Sequence, residues 1–326
     1  MARIKAQPLS TLDLLRRRHG NEAARGAFYE MCTQDNENAT RLLNDDNLKF
    51  PTLFVLQPEV DKFELHERLN ERNHSALSMC GCLCDKENMF NHEFGPQDKP
   101  TLRWMMLTGY DEDDLGETYD EIMDTTAILL VREHHDNTCL KPLCDMIFMR
   151  NRHGMYIYDA VWALFESQEV DTLLLVADHL RSNNRHDVEL ARNLLSFVPC
   201  FQNNLSTPAV QHRCAVRWIH ANRKWLRYTG ESNQKGGNPY RFEVSLEAKY
   251  LQNSEVPRMG PATLSADDYE LGCRFHALDP DTRVLLADHS QRLRRHSPEK
   301  WQRWLHSDLS VQIHTARQCA GLEVRP

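Results

Sequence analysis

Between Met155 and Pro199 apolar residues recur at intervals of three and four, three times over, and this periodicity restricts the chain more than any other feature. Tyr158, Val161, Trp162 and Phe165 make one stripe, Val170, Leu173, Leu174 and Ala177 a second, and Val188, Ala191, Leu194 and Leu195 a third. A period near 3.6 puts each set on one face of a helix, which must then be buried against another element. The segment predicts three amphipathic helices joined by short links.

End signals extend the reading along the chain. Ser10 is placed to cap TLDLLRRRHG, and Gly20 to stop it in a left-handed conformation. Leu115, Tyr119, Ile122, Leu129 and Leu130 follow helical spacing behind an acidic first turn, which suits the positive helix N-terminus. Ser265, Thr207 with Pro208, Asp279 with Pro280, and Ser297 with Pro298 mark further starts, since a first-turn proline has no needed amide to lose. Two stretches read otherwise. LKFPTLFVL at 48–56 holds Pro51 among β-favouring residues and is expected to be an extended connection, with Pro58 opening the next helix. Alternation at Tyr240, Phe242, Val244 and Leu246 predicts one short extended segment near 240–246. The expected fold class is mainly α.

Three consecutive helices in about 45 residues resemble one unit of a HEAT or armadillo-type repeat. The likeness covers 155–199 alone and implies a short α-solenoid, which would offer a partner a concave surface. An irregular helical bundle is the favoured alternative, because no second copy with matching residues exists in the sequence. The polar link FQNNLST after Pro199 is the expected boundary between an acidic helical domain, 1–200, and a second helical domain, 207–326, with one continuous domain as the alternative. Charge supports the division. Residues 1–150 carry 17 basic and 27 acidic side chains, net −10, whereas 151–326 carry 22 and 20, net +2.

No run approaches the roughly 20 apolar residues that span a bilayer; AILLV and LLLVA are short and flanked by charge. The N-terminus lacks the apolar centre of a secretory signal, and Asp13 and Glu22 are out of place in a mitochondrial one. A cytoplasmic location is expected. There the ten cysteines would be reduced, and the glycosylation triplets at Asn38, Asn73 and Asn204 would stay unmodified.

Four constellations have chemical potential. The first is MCGCLC, with Cys80, Cys82 and Cys84, which could meet His92 and the distant Cys139 and Cys144 around zinc. The Cys-x-Cys spacing is not that of a zinc knuckle, so buried, reduced thiols and no cofactor are expected. The second is the run from Asp111 to Asp124, with eight carboxylates and no base. An EF-hand frame fixed on Gly116 puts Leu115 and Ile122 where oxygen ligands are required, which leaves a solvated acidic helix start. The third is Glu133, His134 and His135, read as the polar C-terminus of a helix. The fourth is PAVQHRCAVRWIHANRKWLRY, where Arg213, Arg217, His220, Lys224 and Arg227 are spaced to form one cationic stripe on a helix of about 20 residues. Val210, Cys214, Trp218 and Trp225 are its expected anchoring face.

None of the dinucleotide, P-loop, nucleophile-elbow or zinc-protease motifs is present in the sequence. The expected function is a helical interaction or scaffold protein binding a protein partner. The alternatives are a nucleic-acid-associated factor using the 213–227 stripe, and a zinc-dependent enzyme or zinc-stabilised fold using the cysteines. The overall charge of −8 argues against broad nonspecific binding to nucleic acid.

Overall fold

Ser10 caps the first helix, α1 (Thr11–His19), in both directions: its hydroxyl accepts the Asp13 amide at 3.1 Å, and the Asp13 carboxylate accepts the Ser10 amide at 3.0 Å. Gly20 ends it at φ 85°. The computed structural model describes residues 8–84, 94–201, 207–230, 242–253 and 266–322. Two compact units divide the chain, Met1–Leu195 and Ser196–Pro326.

In the first unit α1 is followed by α2 (Asn21–Gln34), α3 (Asn36–Leu43), α4 (Phe50–Lys62), α5 (Glu71–Leu83), α6 (Lys99–Gly109) and α7 (Glu117–Ile128). A π-helical turn, Leu129–Glu133, leads on to α8 (Leu140–Arg152), α9 (Tyr158–Glu166), α10 (Asp171–Asp178) and α11 (Arg185–Leu194). The architecture is that of a mainly α-helical bundle. The three helices expected in 155–199 form, and α8 packs against each of them. Phe165, Leu173 and Ala191 turn inward from their stripes, while Tyr158 stays exposed.

Helix α4 corrects the expectation of an extended connection at 48–56. Phe50, Leu53, Val55, Leu56 and Val60 are buried, together with Pro51, Thr52 and Glu59. A helix covered on almost every side has no polar face, so its sequence shows no helical period. Pro51 sits in the first turn, where its missing amide costs nothing. The Phe50 amide is satisfied by the Thr108 hydroxyl at 3.1 Å. Pro58 does not open a new helix but lies within this one, removing the bond its amide would have donated to the Phe54 carbonyl. Packing offsets that loss. The Tyr119 ring lies 5.6 Å from that of Phe50 and 5.1 Å from that of Phe54, and its hydroxyl donates to the Gly109 carbonyl at 3.0 Å.

The second unit holds α12 (Pro208–Asn222), a hairpin of β1 (Leu226–Tyr228) and β2 (Phe242–Val244), then α13 (Leu246–Leu251), α14 (Ala266–His276), α15 (Pro280–His296), α16 (Pro298–Leu305) and α17 (Leu309–Leu322). The strands are antiparallel, with Arg227 opposite Glu243. The expected extended segment is thus present at 242–244, but Leu246 already belongs to a helix, and Tyr240 lies outside the described residues. The core gathers around Tyr250, whose ring stacks on Phe275 at 4.6 Å and meets Trp304 edge-on at 6.0 Å. No described helix is long and apolar enough to cross a membrane.

Candidate functional site

Helix α12 carries the cationic residues singled out in the sequence. Thr207 precedes it, Pro208 opens it, and Gln211, Ala215, Ile219 and Asn222 form its buried face. Arg213, Arg217 and His220 are exposed on the opposite side. The anchoring face differs from the expected one: Val210 and Cys214 are exposed, Trp218 is half-buried, and Trp225 is buried beyond the helix end.

The helix stops five residues before Arg227, which corrects the expected continuous stripe. Asn222 is the reason. Its Nδ2 donates to the Trp218 carbonyl at 2.9 Å, and its Oδ1 accepts from Lys249 Nζ at 2.7 Å. Gln291 Nε2 donates to the Ala221 carbonyl at 2.7 Å. Two carbonyls of the last turn thus have side-chain donors, and the buried Lys249 also pairs with Asp288. Lys224 is exposed past the end, and Arg227 lies on β1, where it pairs with Glu243. Arg227 also lines a cavity of about 300 Å³ with Glu243, Glu247, His276 and Arg283, in which His276 Nε2 lies 2.9 Å from Glu247.

The structure therefore brings together Arg213, Arg217 and His220 and separates Lys224 and Arg227. Arg213, Arg217 and Lys224 make no ion pair among the described residues, and α12 itself contains no Asp or Glu. The contrast with the first unit is direct. Arg16 faces Glu112, Arg103 faces Asp136 at 2.6 Å, and Arg152 holds Asp187 through two bonds of 2.8 and 2.7 Å. Like charges one turn apart cost an exposed helix about 0.2–0.5 kcal/mol, so the Arg213–Arg217 pair does not stabilise its own fold.

The acidic run is not simply a solvated helix start. Arg150, 1% exposed, donates to Asp124 at 2.6 Å and to Asp120 at 3.1 Å, and Glu112 is held by Arg16. Burial outweighs the attraction of Arg150 and pushes the Asp124 carboxyl up to about 6. His153 adds a contact to Asp113 at 3.2 Å.

Cys80 is buried on α5, with Cys82 and Cys84 half-buried near the helix end, while Cys139 and Cys144 are buried elsewhere in the unit. Burial pushes the Cys80 and Cys139 thiols up to about 12 and Cys144 higher still, which favours the protonated form over the thiolate that binds metal. His92 lies outside the described residues. Among the described residues no three His, Cys, Asp or Glu side chains are placed to hold a metal ion.

Glu133, His134 and His135 end the π-helical turn. The His134 carbonyl accepts from Lys99 Nζ at 2.8 Å, and burial, together with the Lys99 charge, lowers the His134 imidazole below its usual range. Glu133 and His135 are exposed, and His135 has φ 46°.

A polar cleft of about 520 Å³ in the first unit escaped the sequence reading. Lys141, Asp145, Arg152, His179, Ser182 and Asp187 line it. Lys141 pairs with Asp145 at 2.6 Å, and Asp187 accepts from Ser182 Oγ at 2.6 Å while holding Arg152. His179 lies flat on Phe148, ring centres 3.5 Å apart, and burial keeps its imidazole toward the neutral form. These charges compensate each other, and the Ser182 proton is directed to Asp187 rather than to His179.

Searches against protein-family models, curated proteins and solved structures found no match to this chain.

Proposed function

We propose that this chain is a cytoplasmic helical interaction protein that docks an acidic protein surface through the exposed face of α12. The observation that carries the reading is the Arg213–Arg217 pair: two exposed guanidiniums one turn apart, without ion-pair partners among the described residues, on a helix that carries no carboxylate. His220 continues the face by a further turn and Lys224 lies just past it. Guanidinium forks match carboxylates in a bidentate geometry that a partner's Asp and Glu side chains can fill. A protein surface is favoured over nucleic acid because the overall charge is −8 and the cationic face is short.

The test is affinity capture with the native chain and with Arg213→Glu/Arg217→Glu, from lysates treated and untreated with nuclease. Capture of an acidic protein that survives nuclease and is lost in the variant supports the reading. Capture abolished by nuclease transfers the face to nucleic acid. Full retention of every partner by the variant removes α12 from the function.

A further inference from the structure

The cavity of about 300 Å³ beside the hairpin holds one positive charge that nothing around it answers. Glu243 accepts from Arg227 Nε at 2.7 Å, in the strand register that sets the two residues opposite each other. Glu247 meets His276 Nε2 through Oε2 at 2.9 Å, and its Oε1 lies against Gly272, where a Cβ would collide with it. The close passage of α14 at Gly272 thus fixes Glu247 toward His276. Both carboxylates that line the cavity are engaged, and Arg283 is left over. Its guanidinium makes no hydrogen bond or ion pair among the described residues, and its Nε is buried. Asp279, one turn back, directs its carboxylate to the Thr282 amide at 2.9 Å instead. Nor does Arg283 serve its own helix, because it stands in the first turn of α15, where a cation opposes the positive end of the dipole. A charged donor taken from water without a partner is costly, and such a group on the wall of a cavity calls for a ligand of opposite sign.

We infer that this cavity binds a small free monocarboxylate, held end-on by the terminal nitrogens of Arg283. Guanidinium and carboxylate match as a bidentate pair. One uncompensated positive charge asks for one negative charge, whereas a phosphate dianion would bring a second against Glu243 and Glu247. The rest of the lining sets the other end of the ligand: Phe275, 1% exposed, with Val244 and Leu246, offers an apolar surface for a short carbon chain. The volume lies at the lower limit of small-molecule sites, which span about 300–1,000 Å³, and so suits a short-chain acid rather than a nucleotide. The site is separate from the exposed face of α12 and does not depend on what that face docks.

The test is a titration of the ¹⁵N-labelled full chain with sodium butyrate, its neutral isostere butyramide and sodium phosphate, at constant ionic strength, read by NMR. Butyrate is expected to give saturable shifts at the Ser245, Leu246 and Phe275 amides and at the Arg283 Nε–H. Butyramide should give none, and phosphate should bind several-fold more weakly. Arg283→Gln, with its fold checked by the remaining amide spectrum, should lose the saturable response. Arg283→Lys, which keeps the charge without the fork, should bind butyrate several-fold more weakly than the native chain. Should Arg283→Gln fail to fold, butyrate against butyramide on the native chain still decides. No saturable shift with butyrate, equal shifts with butyramide, tighter binding of phosphate, or full retention of the response in folded Arg283→Gln would each overturn the proposal.

Discussion

Arg150 reaches Asp124 at 2.6 Å from a position where its own side chain is 1% exposed and that of Asp124 8%. Its second arm extends to Asp120 at 3.1 Å, so one buried guanidinium ties the 140–152 helix to two successive turns of the 117–128 helix. Removing the cation while leaving the carboxylates strands buried charge. Arg150→Met is expected to cost about 3–5 kcal/mol by chemical denaturation, and Arg150→Met/Asp124→Leu to recover part of it. Equal losses in the two variants would show that packing of the arginine stem, not charge, is what matters.

Acidification should weaken the fold through its buried histidines. His289 is 4% exposed, lies 4.9 Å from Trp304 by ring centres, and has its Nε2 buried without a hydrogen-bond partner among the described residues. Burial, aided by Arg292, holds its pKa below the usual 6.5. The neutral ring is favoured in the folded state, so this contribution is complete above about pH 6.5 and is lost as pH falls toward the folded value. His179 acts in the same sense. The buried Asp124, raised to about 6, acts in the opposite sense, so the histidine contribution is read by comparison: between about pH 8 and about pH 5, His289→Leu is expected to lose less stability, or gain more, than the wild type. An unchanged pH dependence in the variant would remove His289 from the account.

Reversing charge on the exposed face of α12 should leave the fold intact. Arg213→Glu/Arg217→Glu changes two exposed side chains with no ion pairs among the described residues, so each substitution should shift stability by no more than about 0.5 kcal/mol. Thermal melting checks this and separates lost binding from lost structure.

The cysteine-rich segment should hold little metal. Protein purified without chelators is expected to carry less than an equivalent of zinc per chain, with a melting temperature unchanged by EDTA. One tightly held zinc, released on replacing Cys80 or Cys84 by serine, would reverse the reading of those thiols.

What the sequence disclosed was local. Ser10, Gly20 and Pro208 act within a few residues of themselves, and the helix ends they mark are where the residues placed them; Thr207 holds the N-cap position of α12 without a side-chain capping bond. What it hid was tertiary. Helix α4 is surrounded, so the stripe that would betray it is absent. The end of α12 is set by Lys249 and Gln291, 27 and 70 residues from the groups they bind, and nothing in NRKWLRY announces either. The acidic run looked solvated because its arginines come from elsewhere: Arg16 is 96 residues from Glu112, and Arg150 is 26 from Asp124. The 520 Å³ cleft was hidden for the same reason, with Arg152 and Asp187 separated by 35 residues.

Asp13 carries more than the first helix. Besides closing the cap with Ser10, its Oδ1 accepts from Thr52 Oγ1 at 2.6 Å and from the Lys49 amide at 3.3 Å, while Thr52 accepts from Arg16 Nε at 3.0 Å. A helix start normally frays, exchanging its amides for deuterium almost as fast as a free peptide. Here fraying at Ser10 would release the first turn of the buried 50–62 helix at the same moment. The opening turn of the described chain should therefore exchange as part of the same cooperative unit as that helix, and Thr52→Val, 39 residues downstream of Asp13, should unlock it.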